Sequence, residues 1–94
     1  MVVHYGGYVQ PMDEVCAFGH RHGIKIIEDC AHALGSMYDD AYCGTIGDYG
    51  CYSFQAIKQI TTIEGGAIVC KNASDVPLIS EMRWFGLQKG VPRN

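Results

Sequence analysis

The sequence predicts an α/β fold built on a mainly parallel sheet, and three observations carry that prediction. A β-prone run at residues 2–5, a helical pattern at 11–22 and a second β-prone run at 25–29 follow one another with short connections. Strand, helix and strand in that order imply a right-handed, parallel βαβ unit. Two more β-prone runs, at 50–55 and 67–70, flank a loop whose single cation is Lys58. The composition, 48% hydrophobic and 18% charged over 94 residues, is that of a globular chain large enough for one small domain or a piece of one.

Each element has a local cause. Val2-Val3-His4-Tyr5 is ended by Gly6-Gly7. Pro11 suits a first helical turn, and Met12, Val15, Cys16 and Phe18 recur at helical spacing. Gly23 stands at the C′ position, with His20, Arg21 and His22 in a last turn whose dipole favours them, so the two histidines read as a solvated helix end. Residues 25–29 read as a buried parallel strand ending in acid. In open α/β sheets ligands bind outside the carboxyl ends of strands. Asp29 lies there, either as a turn or cap residue or as a carboxylate facing a cationic ring nitrogen.

Residues 30–38 are small and mildly helical, which puts His32 on the face of Asp29. His32 is then either a satisfied core histidine or a contact to a flat ligand. Residues 39–49 are turn-rich and predict a small hairpin or an irregular excursion. The runs at 50–55 and 67–70 are close enough around their loop to pair antiparallel. A last helix is expected over 74–85, with Ser74 as N-cap, Pro77 in the first turn, Ile79, Met82 and Phe85 as its apolar stripe, and Gly86 at its end. The tail at 87–94 has no core pattern. No repeat, low-complexity segment or linker interrupts the chain.

A net charge of −3 gives no support to a nucleic-acid or anionic-membrane partner. No apolar run approaches the ~20 residues that span a bilayer, and the first residues lack the basic start of a signal peptide. The five cysteines, Cys16, Cys30, Cys43, Cys51 and Cys70, form no Cys-x-x-Cys pair and are odd in number. They point to a reducing, cytoplasmic compartment rather than a disulfide scaffold. The four histidines lack zinc-ligand spacing.

The chemistry concentrates in residues 53–66. Lys58 is either a solvated loop lysine or, where desolvated, a nucleophile toward a carbonyl. Ser53 is either a buried hydroxyl satisfied by backbone or a ligand contact. Taken together, Glu28-Asp29-Cys30-Ala31-His32-Ala33, Gly47-Asp48, Cys51-Tyr52-Ser53-Phe54, Lys58, Thr61-Thr62-Ile63-Glu64-Gly65-Gly66 and Met82-Arg83-Trp84-Phe85-Gly86 resemble the DegT/StrS-type sugar aminotransferases, in that family's order and spacing.

The resemblance implies a fold type I, pyridoxal-phosphate-dependent enzyme, and specifically its large domain, three-layered α/β/α with a mainly parallel mixed sheet. It covers nearly the whole chain but only part of a family member. The N-terminal part of the large domain and the C-terminal small domain are expected to be missing from residues 1–94, and the fragment is expected to be inactive alone. By resemblance, Lys58 matches the Schiff-base lysine, Asp29 the partner of the pyridinium nitrogen, His32 the contact to the ring hydroxyl and Ser53 a phosphate contact. Lysine at 58, where dehydrating relatives carry histidine, implies transamination from an amino-acid donor, glutamate, to a nucleotide-linked keto-sugar by a homodimer. Gln55-Ala56-Ile57 departs from the family's commoner His-Pro-Thr. A non-catalytic α/β remnant or binding module, and a different pyridoxal-phosphate reaction such as dehydration, stand as alternatives.

Overall fold

The structure, a computed structural model, describes residues 1–83 and 90. Its elements are β1 (Val2–Val3), α1 (Met12–His22), β2 (Ile27–Asp29), β3 (Met37–Tyr38), β4 (Ala41–Tyr42), β5 (Tyr49–Ser53), β6 (Gly66–Cys70) and α2 (Val76–Met82). Four strands form one sheet in the order β1-β2-β5-β6. The first three run parallel, with Val3 beside Asp29 and Asp29 beside Cys51. β6 returns antiparallel, placing Ser53 opposite Gly66. The expected βαβ unit and the antiparallel return are both present.

Helix α1 ends at His22, as its sequence predicts, and starts one residue later than expected, at Met12. Pro11 takes the N-cap position, Asp13 and Glu14 lie in the first turn, and Gly23 adopts the left-handed conformation at φ 64, its N–H reaching the last carbonyls. Met12 and Gly19 are buried along one side, and the Ile26 side chain seats against Gly19. Phe18 is exposed and lies against His22, with ring centroids 4.5 Å apart, so both belong to a solvated helix end. Because Ile26 and Glu28 share one side of β2 by strand alternation, α1 lies on that face. α2 lies on the other, facing Ile27, Cys51 and Ile68. Helix, sheet and helix make three layers.

Two expectations need correction. Residues 30–38 are not helical. The Asp29 carboxylate takes the Ala31 N–H at 3.1 Å, and the backbone continues as separate turns, Ala33 N–H to the Cys30 carbonyl and Ser36 N–H to the Ala33 carbonyl. A short side chain that captures a nearby N–H competes with the helix, and it does so here. Residues 37–42 instead form the small hairpin β3–β4, turning through Asp39 at φ 49. The last helix also starts later than expected. Residues Ala73–Asp75 form a 3-10 turn, α2 starts at Val76, and Asp75 rather than Ser74 takes the N-cap position, without a side-chain cap bond. Pro77 falls in the first turn, as expected. Phe85, Gly86 and the remaining tail, apart from Gly90, lie outside the described residues.

The core contains Met12, Ile26, Cys30, Ala33 and Cys43, with Val9 and Tyr52 packed on the last three. All five cysteines are free thiols. Burial, then the charge of Glu28, pushes the Cys30 thiol up to about 12, which keeps it a neutral hydrophobe. Gly44, at φ +89, and Gly50 touch so closely that a Cβ on Gly50 would collide with the Gly44 backbone. That contact lets the 43–47 loop lie flat on the sheet.

Candidate active site

Asp29 is the last residue of β2 and Ser53 the last of β5. Asp29 pairs with Cys51, two positions before Ser53 on a parallel neighbour, so both side chains leave the same face at the same carboxyl edge. The chain continues from Ser53 into the loop of Lys58, and β6 starts back at Gly66 on this edge. β1 also ends here: the His4 N–H donates to the Asp29 carbonyl at 3.1 Å, and the Tyr5–Gly7 turn follows. That turn meets His32. The Gly6 N–H donates to His32 Nδ1 at 3.4 Å, and the Tyr5 ring lies edge-on at 5.3 Å. All four residues singled out in the sequence therefore stand along one sheet edge.

Their polar atoms are only partly used. Asp29 is half-buried, and Oδ1 accepts the Ala31 N–H; Oδ2 has no partner among the described residues. His32 is exposed, and because Nδ1 accepts from Gly6, a neutral ring carries its proton on Nε2 as an outward donor. Ser53 Oγ accepts the Gln55 N–H at 3.4 Å, which leaves its own hydrogen to donate. Lys58 is half-buried. Its backbone N–H donates to the Gln55 carbonyl at 2.9 Å, while Nζ has no hydrogen-bond or ion-pair partner among the described residues. An amine, a carboxylate oxygen, an imidazole N–H and a hydroxyl thus remain available to a ligand.

Glu28, one residue before Asp29, received no role from the sequence, yet it is the most heavily bonded side chain described. It is fully buried. Oε1 accepts from Gly44 N–H at 2.8 Å and His4 Nε2 at 3.1 Å; Oε2 accepts from Ile46 N–H at 2.9 Å and Gly47 N–H at 2.6 Å. His4, also fully buried, takes the Gln10 N–H on Nδ1 at 3.2 Å, so Nε2 is the nitrogen that donates to Glu28. The available signal was the period-two alternation of Ile26, Glu28 and Cys30, which turns a carboxylate toward the core. His4, Glu28 and Cys30 bring ligand atoms within 4.8 Å of one another. Their donor set does not suit a cation: the carboxylate is saturated, the facing imidazole nitrogen carries a proton, and the thiol is held neutral.

Gly47-Asp48 also has a structural account. Asp48 Oδ2 accepts the Ile26 N–H at 2.8 Å and Oδ1 the Lys25 ammonium at 3.0 Å, pinning the start of β2 to that of β5. The Ile26 N–H first, and then Lys25, hold the Asp48 carboxyl below the usual carboxylate range. A cleft of about 1050 Å³ lies between α2 and the sheet, lined by Ile27, Cys51, Ile68, Val76 and Ile79 among others. It is mostly apolar and does not include Asp29, His32, Ser53 or Lys58.

Comparison with known proteins identifies the family. Residues 1–94 match the DegT/DnrJ/EryC1/StrS aminotransferase family. The UDP-4-amino-4,6-dideoxy-N-acetyl-beta-L-altrosamine transaminase of Campylobacter jejuni is 39% identical over 88 residues, which are 94% of this chain and 23% of that protein. Among solved structures, Helicobacter pylori PseC, an aminotransferase involved in the biosynthesis of pseudoaminic acid, is 32% identical with a TM-score of 0.85, over 95% of this chain and 24% of that one. DesI, solved in the presence of its TDP-sugar product, is 34% identical with a TM-score of 0.82, over 89% of this chain and 21% of that one. The chain spans about a quarter of the length of the relatives it matches.

Proposed function

Because the chain belongs to the DegT/DnrJ/EryC1/StrS aminotransferase family, we propose that it is the central part of the large, cofactor-binding domain of an enzyme that moves an amino group onto a nucleotide-linked keto-sugar. The single observation that carries this reading is the shared carboxyl edge, where Lys58, Asp29, His32 and Ser53 stand with polar atoms unspent.

The donor set fits pyridoxal phosphate handle by handle. Lys58 Nζ would hold the aldehyde carbon, the Asp29 carboxylate would keep the ring nitrogen protonated, His32 Nε2–H would donate to the ring hydroxyl and Ser53 Oγ–H to the phosphate. When bound, the cofactor supplies an electron sink for reaction at the amino-bearing carbon.

The chain's own residues do the rest. Asp29 favours a cation beside it, and a cation favours the charged form of Asp29 in return. Lys58 Nζ would serve as the general base that accepts a proton from the amino-bearing carbon of the donor, which we infer to be glutamate, and as the general acid that donates one at the sugar carbon. The exposed Ile57, Ile60 and Ile63 beside Lys58 support a reading in which further protein, including a second subunit of a homodimer, covers this edge. The relatives' transaminase activity and the TDP-sugar of DesI support the substrate class. Among the described residues no helix is long and apolar enough to cross a membrane.

The test is an absorbance spectrum of the purified protein with pyridoxal phosphate, followed by borohydride and peptide mapping. The expected result is a phosphopyridoxyl group fixed on Lys58 and absent from Lys58→Ala. Labelling spread over surface lysines, unchanged by that substitution, would sink the proposal.

A further inference from the structure

Gln55 has no part in the function proposed above, yet it touches both Ser53 and Lys58. Its N–H donates to Ser53 Oγ at 3.4 Å, its carbonyl accepts the Lys58 N–H at 2.9 Å, and its side-chain Oε1 accepts the Ile57 N–H at 3.2 Å. We propose that Gln55 is a positioning residue that locks Ser53 and Lys58 into one frame. The inference rests on the proposed roles of those two residues.

The physical argument starts from the turn. A carbonyl that accepts from the N–H three residues on closes a β-turn, and a turn held by one exposed bond opens easily. Here Oε1 satisfies a second N–H inside the same turn, as an N-cap side chain does at a helix start. Ala56 and Ile57 are exposed while Gln55 and Lys58 are half-buried, so no packing from the middle of the turn replaces these bonds. The neck of the loop is closed separately, where the Phe54 carbonyl accepts from Thr62 N–H at 2.9 Å and Thr61 Oγ1 at 3.3 Å. Gln55 therefore sets the tip that bears Lys58, and the neck sets the rest. Its bond to Ser53 Oγ occupies one acceptor site of the hydroxyl and leaves the hydrogen to donate. An error of ~1 Å in placing a reacting group costs ~100-fold in rate, so such a lock has consequences.

The experiment compares Gln55→Leu, which loses the side-chain acceptor, with Gln55→Glu, which keeps one. Amide hydrogen exchange is read at Ile57 and Lys58, and at the β5–β6 ladder as a control. The expected outcome for Gln55→Leu is a ~5- to 10-fold loss of protection at Ile57 and Lys58, the worth of one hydrogen bond, with the ladder unchanged. Labelling of Lys58 by pyridoxal phosphate and borohydride falls by about 10-fold. Gln55→Glu restores the protection. Wild-type exchange and labelling in Gln55→Leu overturn the inference, as does equal loss of protection across the ladder, which marks a merely structural role. Absence of Lys58 labelling in the wild type overturns the functional proposal instead, and the exchange result then stands by itself.

Discussion

Glu28 and Asp29 are neighbouring carboxylates on one short strand, and the structure treats them in opposite ways. Glu28 enters the core, where three backbone N–H groups and His4 saturate it. Asp29 leaves by the other face at the sheet's edge with a single bond from Ala31. The same contrast runs through the molecule. On the Glu28 side and at the amino ends of β2 and β5, polar groups are spent on holding the 43–47 loop and the strand starts. At the carboxyl edge, Lys58, His32 and Ser53 keep atoms in reserve. A charge whose every lone pair is answered by the fold serves the fold. A half-buried charge with an unanswered atom, beside others like it, is what a ligand would use.

Four substitutions break or sharpen that contrast. The largest effect is expected from Lys58→Ala, which removes at least about 1,000-fold of transaminase activity in the full-length protein while leaving the thermal midpoint in place; steady-state kinetics beside a melting curve reads both. Glu28→Ala does the reverse. It leaves buried donors without an acceptor and costs about 3–5 kcal/mol of stability, read as a shifted denaturation midpoint. If Glu28→Ala kept its midpoint and lost only activity, the contrast would fail.

Asp29→Asn sharpens the comparison, since it differs from Glu28 by one position. About 100-fold of activity should go, with a changed absorbance of bound cofactor and little change in stability. The smallest effect belongs to Asp48. Its folded-state carboxyl titrates below the unfolded value of ~3.9. The resulting stability is present above that pH and is lost as pH falls through the lower folded value. Asp48→Asn is expected to flatten the acid limb of a stability–pH profile and to leave activity near pH 7 unchanged.

Much of the fold was legible because its causes are local. Pro11, Gly23 and the basic residues at the end of α1 act within one turn of themselves. The strand–helix–strand order then leaves few topologies. The 30–38 segment was misread because helical propensity competes there with the Asp29 side chain, and the winner is decided by what the strand end leaves unbonded. Ser74 has the chemistry of an N-cap, but a 3-10 turn moves the cap position to Asp75. The candidate site was legible through the resemblance to a family, since residue types alone left Asp29, His32, Ser53 and Lys58 open between structural and functional roles. The spacing of Asp29 and Ser53 in sequence does not say that they share a face; the β2–β5 register does.

By itself, then, the sequence determined the class of fold and the ends of β2 at Asp29 and of β6 at Cys70, because hydrophobic period and turn chemistry are properties of short stretches; the residues expected to hold a cofactor came from the resemblance to a family. Only the tertiary structure decided that Glu28 and His4 form a closed core pair and that Asp48 belongs to the architecture. Those outcomes depend on which donor meets which acceptor after distant segments have come together, and a linear pattern carries no record of that meeting.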